Sequence, residues 1–229
     1  KYMILIARTS TEGSNKYAGL SFFLAPMTVS GIDPTPIKKL TGEYGFCQTY
    51  FDDARIPADC MLGQEGEGWS VATKTLMFER GAVGGQAGGL SMMDLNINDI
   101  IELARRATRN GQPAIDDPLT RDELTKLVLE ARGNGLMGSK AKIPALNQTY
   151  PTAVAMSSKL RGSELKRKMT RFALSLQGAN GARYISEQAM DGGKWQRSYL
   201  NAFSATIGGG TSQIQKNILG ERVLGLPKS

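Results

Sequence analysis

Histidine is absent from the 229 residues of this chain. That excludes Ser-His-Asp and Cys-His catalysis and any metal site built on imidazole. Cysteine is nearly absent as well. Cys47 and Cys60 are too few for a four-cysteine metal centre or a disulfide framework, so no metal is expected. No apolar run reaches the roughly 18 residues that a membrane span needs. Two thiols without a signal peptide predict a reduced, cytoplasmic setting. The net charge is +7, and a basic chain can attract nucleic acid, anionic lipid or phosphorylated small molecules. The cations are scattered, however. The densest groups, Arg105-Arg106-x-x-Arg109 and Lys159 to Arg171, lack the interleaved aromatics of a single-strand binder. They read as solvated helix faces, and no nucleic-acid partner is expected.

The chain opens at Lys1 in what reads as a strand already under way, which points to a fragment. Residues 2–8 (YMILIAR), 19–27 (GLSFFLAPM) and 46–52 (FCQTYFD) carry the β-branched, aromatic and aliphatic residues of strands, bounded by turn clusters. Residues 31–40 hold two prolines and predict an edge strand or a loop-rich crossing. From Gly66 the pattern turns helical. Residues 67–107 lack proline and space their apolar residues by threes and fours. Residues 119–143 follow, with Thr120-x-x-Glu123 as an expected capping box. Residues 153–176, 195–204 and a last segment starting near Thr211 complete the helices. Strands first and helices after predict an α+β chain: an antiparallel β segment over 1–64, then an up-and-down four-helix bundle over 65–229.

Three places could carry chemistry. Glu79 shares a helical stripe with Trp69, Ala72, Leu76, Val83, Ala87 and Leu90. An ionised carboxylate in an apolar stripe is costly unless it is paired or faces a cavity. Two readings fit: a helix–helix salt bridge or rim position, or a general base lining a cleft. Residues 81–89 (GAVGGQAGG) hold five glycines in nine positions. Each costs about 1 kcal/mol in a helix interior, which suits close helix packing or a flat ligand against the backbone. Third, Gly208-Gly209-Gly210 runs into Thr211-Ser212-Gln213, a glycine turn feeding a helix N-terminus. That is either an anion site or a flexible connector; it is not a P-loop, because the GK[ST] ending is missing.

Four segments go further: LTGEYGFCQTYFDDARIPADCMLGQEGEGW (40–69), LMFERG (76–81), SSKLRGSE (157–164) and IGGGTSQIQKNILGERVLGLP (207–227). In order and spacing they resemble the acyl-CoA dehydrogenase family, nearly end to end. The resemblance implies a flavoprotein that uses FAD to desaturate an acyl-CoA thioester. A carboxylate removes the α-proton and a hydride leaves the β-carbon for flavin N5, giving a trans-2-enoyl-CoA. It implies dimers or tetramers, homo- or hetero-oligomeric, built through the bundle, and an electron-transfer protein as acceptor. Against the family plan this chain holds the second half of the middle β domain and the bundle. The N-terminal helical domain and the loops contacting the isoalloxazine ring are missing, so turnover by these residues alone is not expected.

Many members place the base in a Tyr-Glu-Gly-Thr segment, where this chain has Gly208-Gly209-Gly210-Thr211. Gly209 stands at the glutamate. A minority use a glutamate on the long helix, and that position matches Glu79. The resemblance therefore implies Glu79 as catalytic base. It implies Met77, Phe78, Arg80, Gly209 and Gly210 at the substrate, with the Gly209 N–H as donor to the thioester oxygen. Thr211, Ser212, Gln213, Gln177 and Arg109 are implied at FAD, with Arg106 as the alternative to Arg109. Glycines in place of Tyr-Glu vacate room for a branched or bulky acyl group. The missing glutamate also leaves open a non-catalytic structural subunit in a hetero-oligomer.

Overall fold

Two apolar runs pair at the start of the chain. In the computed structural model, β1 (Tyr2–Arg8) and β2 (Leu20–Pro26) are antiparallel, with Tyr2 opposite Pro26 and Arg8 opposite Leu20. The structure describes residues 1–12, 15–81, 96–146 and 153–227; the side chains of 77–81, 155 and 156 lie outside that description. The short strand β5 (Met61–Leu62) adds to the other edge of β2. β3 (Ile32–Lys38) and β4 (Tyr44–Phe51) form a separate antiparallel hairpin. Pro34 and Pro36 both sit in β3, as the edge-strand reading predicts: a two-stranded hairpin has a free edge where a missing N–H costs nothing.

The described residues divide into two compact units, 1–89 and 90–229. In the first, helix α1 (Gly68–Gly81) packs on β2. Glycine permits this at one point. A Cβ at Gly68 would lie 2.4 Å from the Ser21 carbonyl carbon, so only glycine lets the helix start so near the strand. Ser21, fully buried, ties the junction: its hydroxyl accepts from Gly66 N–H at 2.9 Å and shares a 2.8 Å hydrogen bond with Thr9. The expected stripe is only partly inward. Ala72 is buried, but Trp69 and Leu76 are more than a third exposed. Trp69 stacks on Tyr17 instead, with ring centres 4.3 Å apart. Val83, Ala87, Leu90 and the glycine-rich segment fall largely in 82–95, outside the described residues.

The second unit is helical: α2 (Ile97–Arg106), α3 (Pro118–Ala141), α4 (Ala153–Leu176), α5 (Lys194–Ala205) and α6 (Ser212–Arg222). A short hairpin, β6 (Thr108–Arg109) with β7 (Gln112–Pro113), joins α2 to α3 and was not expected. Its Asn110 and Gly111 both take positive φ, the signature of a tight two-residue turn. Ile100, Leu103, Leu124, Leu127, Leu165, Met169, Phe172 and Trp195 form the core. α4 packs against each of the other four helices or their flanks. With its antiparallel sheets ahead of these helices, the chain is α+β, as predicted.

Two helix starts differ from expectation. α3 is capped by Asp117, not Thr120. The Asp117 carboxylate accepts from the Thr120 N–H and hydroxyl, both at 2.8 Å. Pro118 at the first helical position, with no N–H to satisfy, places the cap three residues earlier in the chain than expected. α2 starts afresh at Asn96, which forms a reciprocal capping box with Asp99.

Asp191 ties α2 to the start of α5. It sits in the left-handed region at φ +51°. Arg106 donates to its two oxygens at 3.0 and 2.8 Å, and Trp195 Nε1 donates at 2.7 Å. The Arg106 hydrogen bond holds the Asp191 carboxyl below its ordinary value of 3.8, against the opposing effect of burial. A lowered carboxylate contributes stability that is present above the unfolded value and lost as pH falls toward the folded one. The expected result is loss of Asp191-dependent stability only below about pH 3.8. Denaturation curves from pH 6 to 2.5 should show Asp191→Asn weaker than the parent at pH 6 and the two converging in acid. A constant gap across that range would refute the linkage.

Candidate active site

The glycine turn is built between α5 and α6 in the second unit. Gly209 and Gly210 take φ of +67° and +98°, a backbone that L side chains rarely adopt. Gly208 N–H donates to Ser204 C=O at 2.8 Å, and Ser212 N–H donates to Thr206 C=O at 3.2 Å, anchoring the turn at both ends. Thr211 caps α6, its hydroxyl accepting from Ile214 N–H at 3.3 Å. This is the helix start that the sequence predicts.

Side chains from α4 and α6 close on the turn. Lys159 Nζ donates to the Gly210 carbonyl. Gln215 Nε2 donates to the Gly209 carbonyl at 2.8 Å. Ser212, buried, donates its hydroxyl to Glu164 at 2.5 Å. Burial lowers the Lys159 pKa, and the nearby Glu164 carboxylate opposes that shift. Gly209 itself is exposed, as is Gln213. Of the residues expected at the cofactor, Thr211 and Ser212 therefore serve as a helix cap and an interior hydrogen bond, and Gln213 faces out.

A cleft of about 520 Å3 opens elsewhere in this unit. Arg109, Leu119, Glu123, Phe172, Leu176 and Gly178 line it. Arg109 comes from the β6–β7 hairpin and Gly178 from the turn after α4, so segments about 70 residues apart in sequence converge here. The Arg109 guanidinium is half exposed and 3.7 Å from Asp117. Hydrogen bonds from Thr120 hold the Asp117 carboxyl below its ordinary value, with a smaller contribution from Arg109. Gln177, next to Gly178, turns inward. Its amide nitrogen donates to Ala173 C=O at 3.1 Å, and its oxygen accepts from Gln196 at 3.2 Å. Arg106, the alternative to Arg109, is committed to Asp191.

Glu79 lies on α1, and its side chain, with those of Met77, Phe78 and Arg80, lies outside the described residues. Among the described residues no group of three or more His, Cys, Asp or Glu could hold a metal ion, and no helix is long and apolar enough to cross a membrane. Gln215, Glu164 and Asp191 were not singled out from sequence, and Lys159 was read only as part of a solvated helix face, whereas it turns in to the Gly210 carbonyl. Periodicity gives them no mark; Lys159 and Glu164 at least fall inside the SSKLRGSE segment.

A family model described as the acyl-CoA dehydrogenase C-terminal domain matches residues 66–224. The chain belongs to the acyl-CoA dehydrogenase family. The proteins called acyl-CoA dehydrogenase IpdE1 from Mycobacterium tuberculosis and Mycolicibacterium smegmatis are 36% and 35% identical to it over 229 and 228 residues. Those alignments cover all of this chain and 56% and 54% of the relatives, so the chain spans about half the length of the curated acyl-CoA dehydrogenases it matches. Among solved structures, the ChsE4-ChsE5 complex from Mycobacterium tuberculosis superposes with a TM-score of 0.78 at 27% identity, over all of this chain and 58% of that one. The Tcur3481-Tcur3483 steroid ACAD gives a TM-score of 0.79 at 26% identity, over all of this chain and 57% of that one.

Proposed function

We propose that this chain forms part of an FAD-dependent acyl-CoA dehydrogenase in which Glu79 is the base. The observation that carries the reading is the glycine turn. The family's usual glutamate position is Gly209, with no side chain and a backbone at φ +67°, while the long helix carries a carboxylate at 79. The division of labour is simple. Glu79 takes the α-proton of an acyl-CoA thioester. The Gly209 N–H donates to the thioester oxygen, where charge builds as that proton leaves. Met77, Phe78, Arg80 and Gly210 belong to the substrate side.

The residues of the cleft fit the phosphate-and-ring end of a dinucleotide. A guanidinium suits pyrophosphate, and Leu119, Phe172 and Leu176 offer an apolar floor to a flat ring. Arg109 and the Gln177-Gly178 segment would hold that end of FAD, and Thr211, Ser212 and Gln213 another part. When bound, FAD would supply the hydride acceptor for the substrate's β-carbon, and an electron-transfer protein would be the partner that reoxidises it.

The vacated Tyr-Glu volume favours a branched or ring-bearing acyl group, a reading supported by the steroid ACAD among the structural neighbours. Neighbours solved as two-component complexes support an oligomer, with the hetero-oligomer first. They also favour the second reading, a subunit whose partner supplies the base. The test is anaerobic mixing of the full-length, flavin-loaded protein with acyl-CoA thioesters. Bleaching of the flavin by branched or ring-bearing thioesters is expected. Bleaching by short straight chains alone overturns the substrate class, and purification of the full-length protein without FAD favours the structural subunit.

A further inference from the structure

Three consecutive glycines put few intrinsic restraints on the backbone, yet a donor aimed at a developing charge must not move. Each glycine has the widest conformational freedom of any residue. Gly208 and Ser212 are anchored through their own N–H groups, which leaves three peptide planes between them. Side chains hold the last two; the first, which carries the Gly209 N–H, lies between the anchored Gly208 and a held neighbour. Gln215 Nε2 holds the Gly209 carbonyl at 2.8 Å, and Lys159 Nζ holds the Gly210 carbonyl. In a planar trans peptide the C=O and the following N–H point in opposite directions. Holding these carbonyls therefore aims the Gly210 and Thr211 N–H groups away from Gln215 and Lys159, and, with Gly208 anchored on the other side, confines the Gly209 N–H to the rotation that two held neighbours allow.

The fit is close. A Cβ at Gly210 would lie 2.8 Å from Gln215 Nε2, and one at Gly209 would lie 3.9 Å from Lys159 Cε. Lys159 reaches the turn from α4, 51 residues away in sequence, and gives up part of its hydration to do so. A lysine with no task there would extend into water.

We infer that Lys159 is a positioning residue for the proposed reaction. With Gln215 as second clamp, it preorganises the glycine turn whose N–H polarises the thioester carbonyl. The inference rests on the reading in the previous section. It touches neither substrate nor flavin; it acts through the backbone.

The test uses the full-length, flavin-loaded protein and tert-butylacetyl-CoA, isotope-labelled at the thioester carbonyl. This thioester has α-protons but no β-hydrogen to lose, so it binds without turnover. Infrared difference spectra of the parent should show the carbonyl band shifted to lower frequency than in free thioester. In Lys159→Met the band should return toward the free position, and in Lys159→Arg, which keeps a cationic donor, it should stay shifted. With an oxidisable thioester, kcat of Lys159→Met should fall about tenfold while KM changes less than about twofold, the pattern of an interaction made in the transition state. A band as shifted in Lys159→Met as in the parent overturns the role of Lys159 and leaves the proposed reaction standing. No shift in the parent overturns the thioester reading itself and this inference with it. Should Lys159→Met lose its fold or flavin, Gln215→Met, which frees the Gly209 carbonyl without removing a charge, carries the same expectation and is refuted by the same unmoved band.

Discussion

Glu79→Gln in the full-length protein is expected to abolish bleaching of the flavin by acyl-CoA while leaving the flavin bound. Glutamine keeps the size and shape of the side chain but cannot take a proton. A positioned general base contributes about 10²–10⁴ in rate, and here no second carboxylate stands at the family's usual place, since that position is Gly209. The expected fall lies at the upper end of that range, about 10³-fold or more. Flavin retention separates this outcome from misfolding. Bleaching at the parent rate would remove Glu79 from the mechanism and turn attention to a partner subunit.

Trp195→Ala is expected to produce the largest loss of stability among single core substitutions. Trp195 is 1% exposed and sits in the main cluster with Ile100, Leu103 and Phe172. Truncating a buried tryptophan costs about 3–5 kcal/mol through lost transfer energy and the cavity left behind. A second loss comes from the indole N–H, which donates to Asp191 at 2.7 Å. Asp191 also receives Arg106, so the same substitution loosens the tie between α2 and α5. Chemical denaturation of the parent and variant measures the difference. A loss below about 1 kcal/mol would show that the helices repack around the gap, contrary to the cost usual for such a deletion.

How much of this was legible in the sequence follows from what each signal measures. Runs of β-branched, aromatic and aliphatic residues marked β1 and β2, and an alternating run marked β4, all to within two residues, and residues 153–176 mark α4 at both ends. These elements are set by local pattern. The β6–β7 hairpin was missed because two-residue strands are too short for any periodicity. The α3 cap was misplaced because Thr120 with Glu123 imitates a capping box, while Pro118 and Asp117 start the helix earlier. Trp69 and Leu76 were expected inside. An apolar spacing of three and four does not say which residue meets the sheet, and Gly68 lets α1 touch β2 at its first turn.

The candidate site shows the same division. The glycine turn and its helix start were readable from Gly208 to Gln213, and the resemblance to acyl-CoA dehydrogenases supplied roles for Glu79, Arg109 and Gln177. The hydrogen bonds that hold the turn were not readable. Lys159, Glu164 and Gln215 lie in ordinary helical positions, and only the packing of α4 against α6 brings them to the glycines. The inward turn of Gln177 toward Ala173 and Gln196 is likewise a property of packing, with no mark in the local sequence.

The left-handed backbone at Gly209 bears on redesign. A glutamate placed there would inherit a main-chain geometry that glycine takes without strain and other residues rarely adopt, and it would emerge in contact with Lys159. Engineering a carboxylate into the turn therefore calls for a change of backbone as well as of side chain.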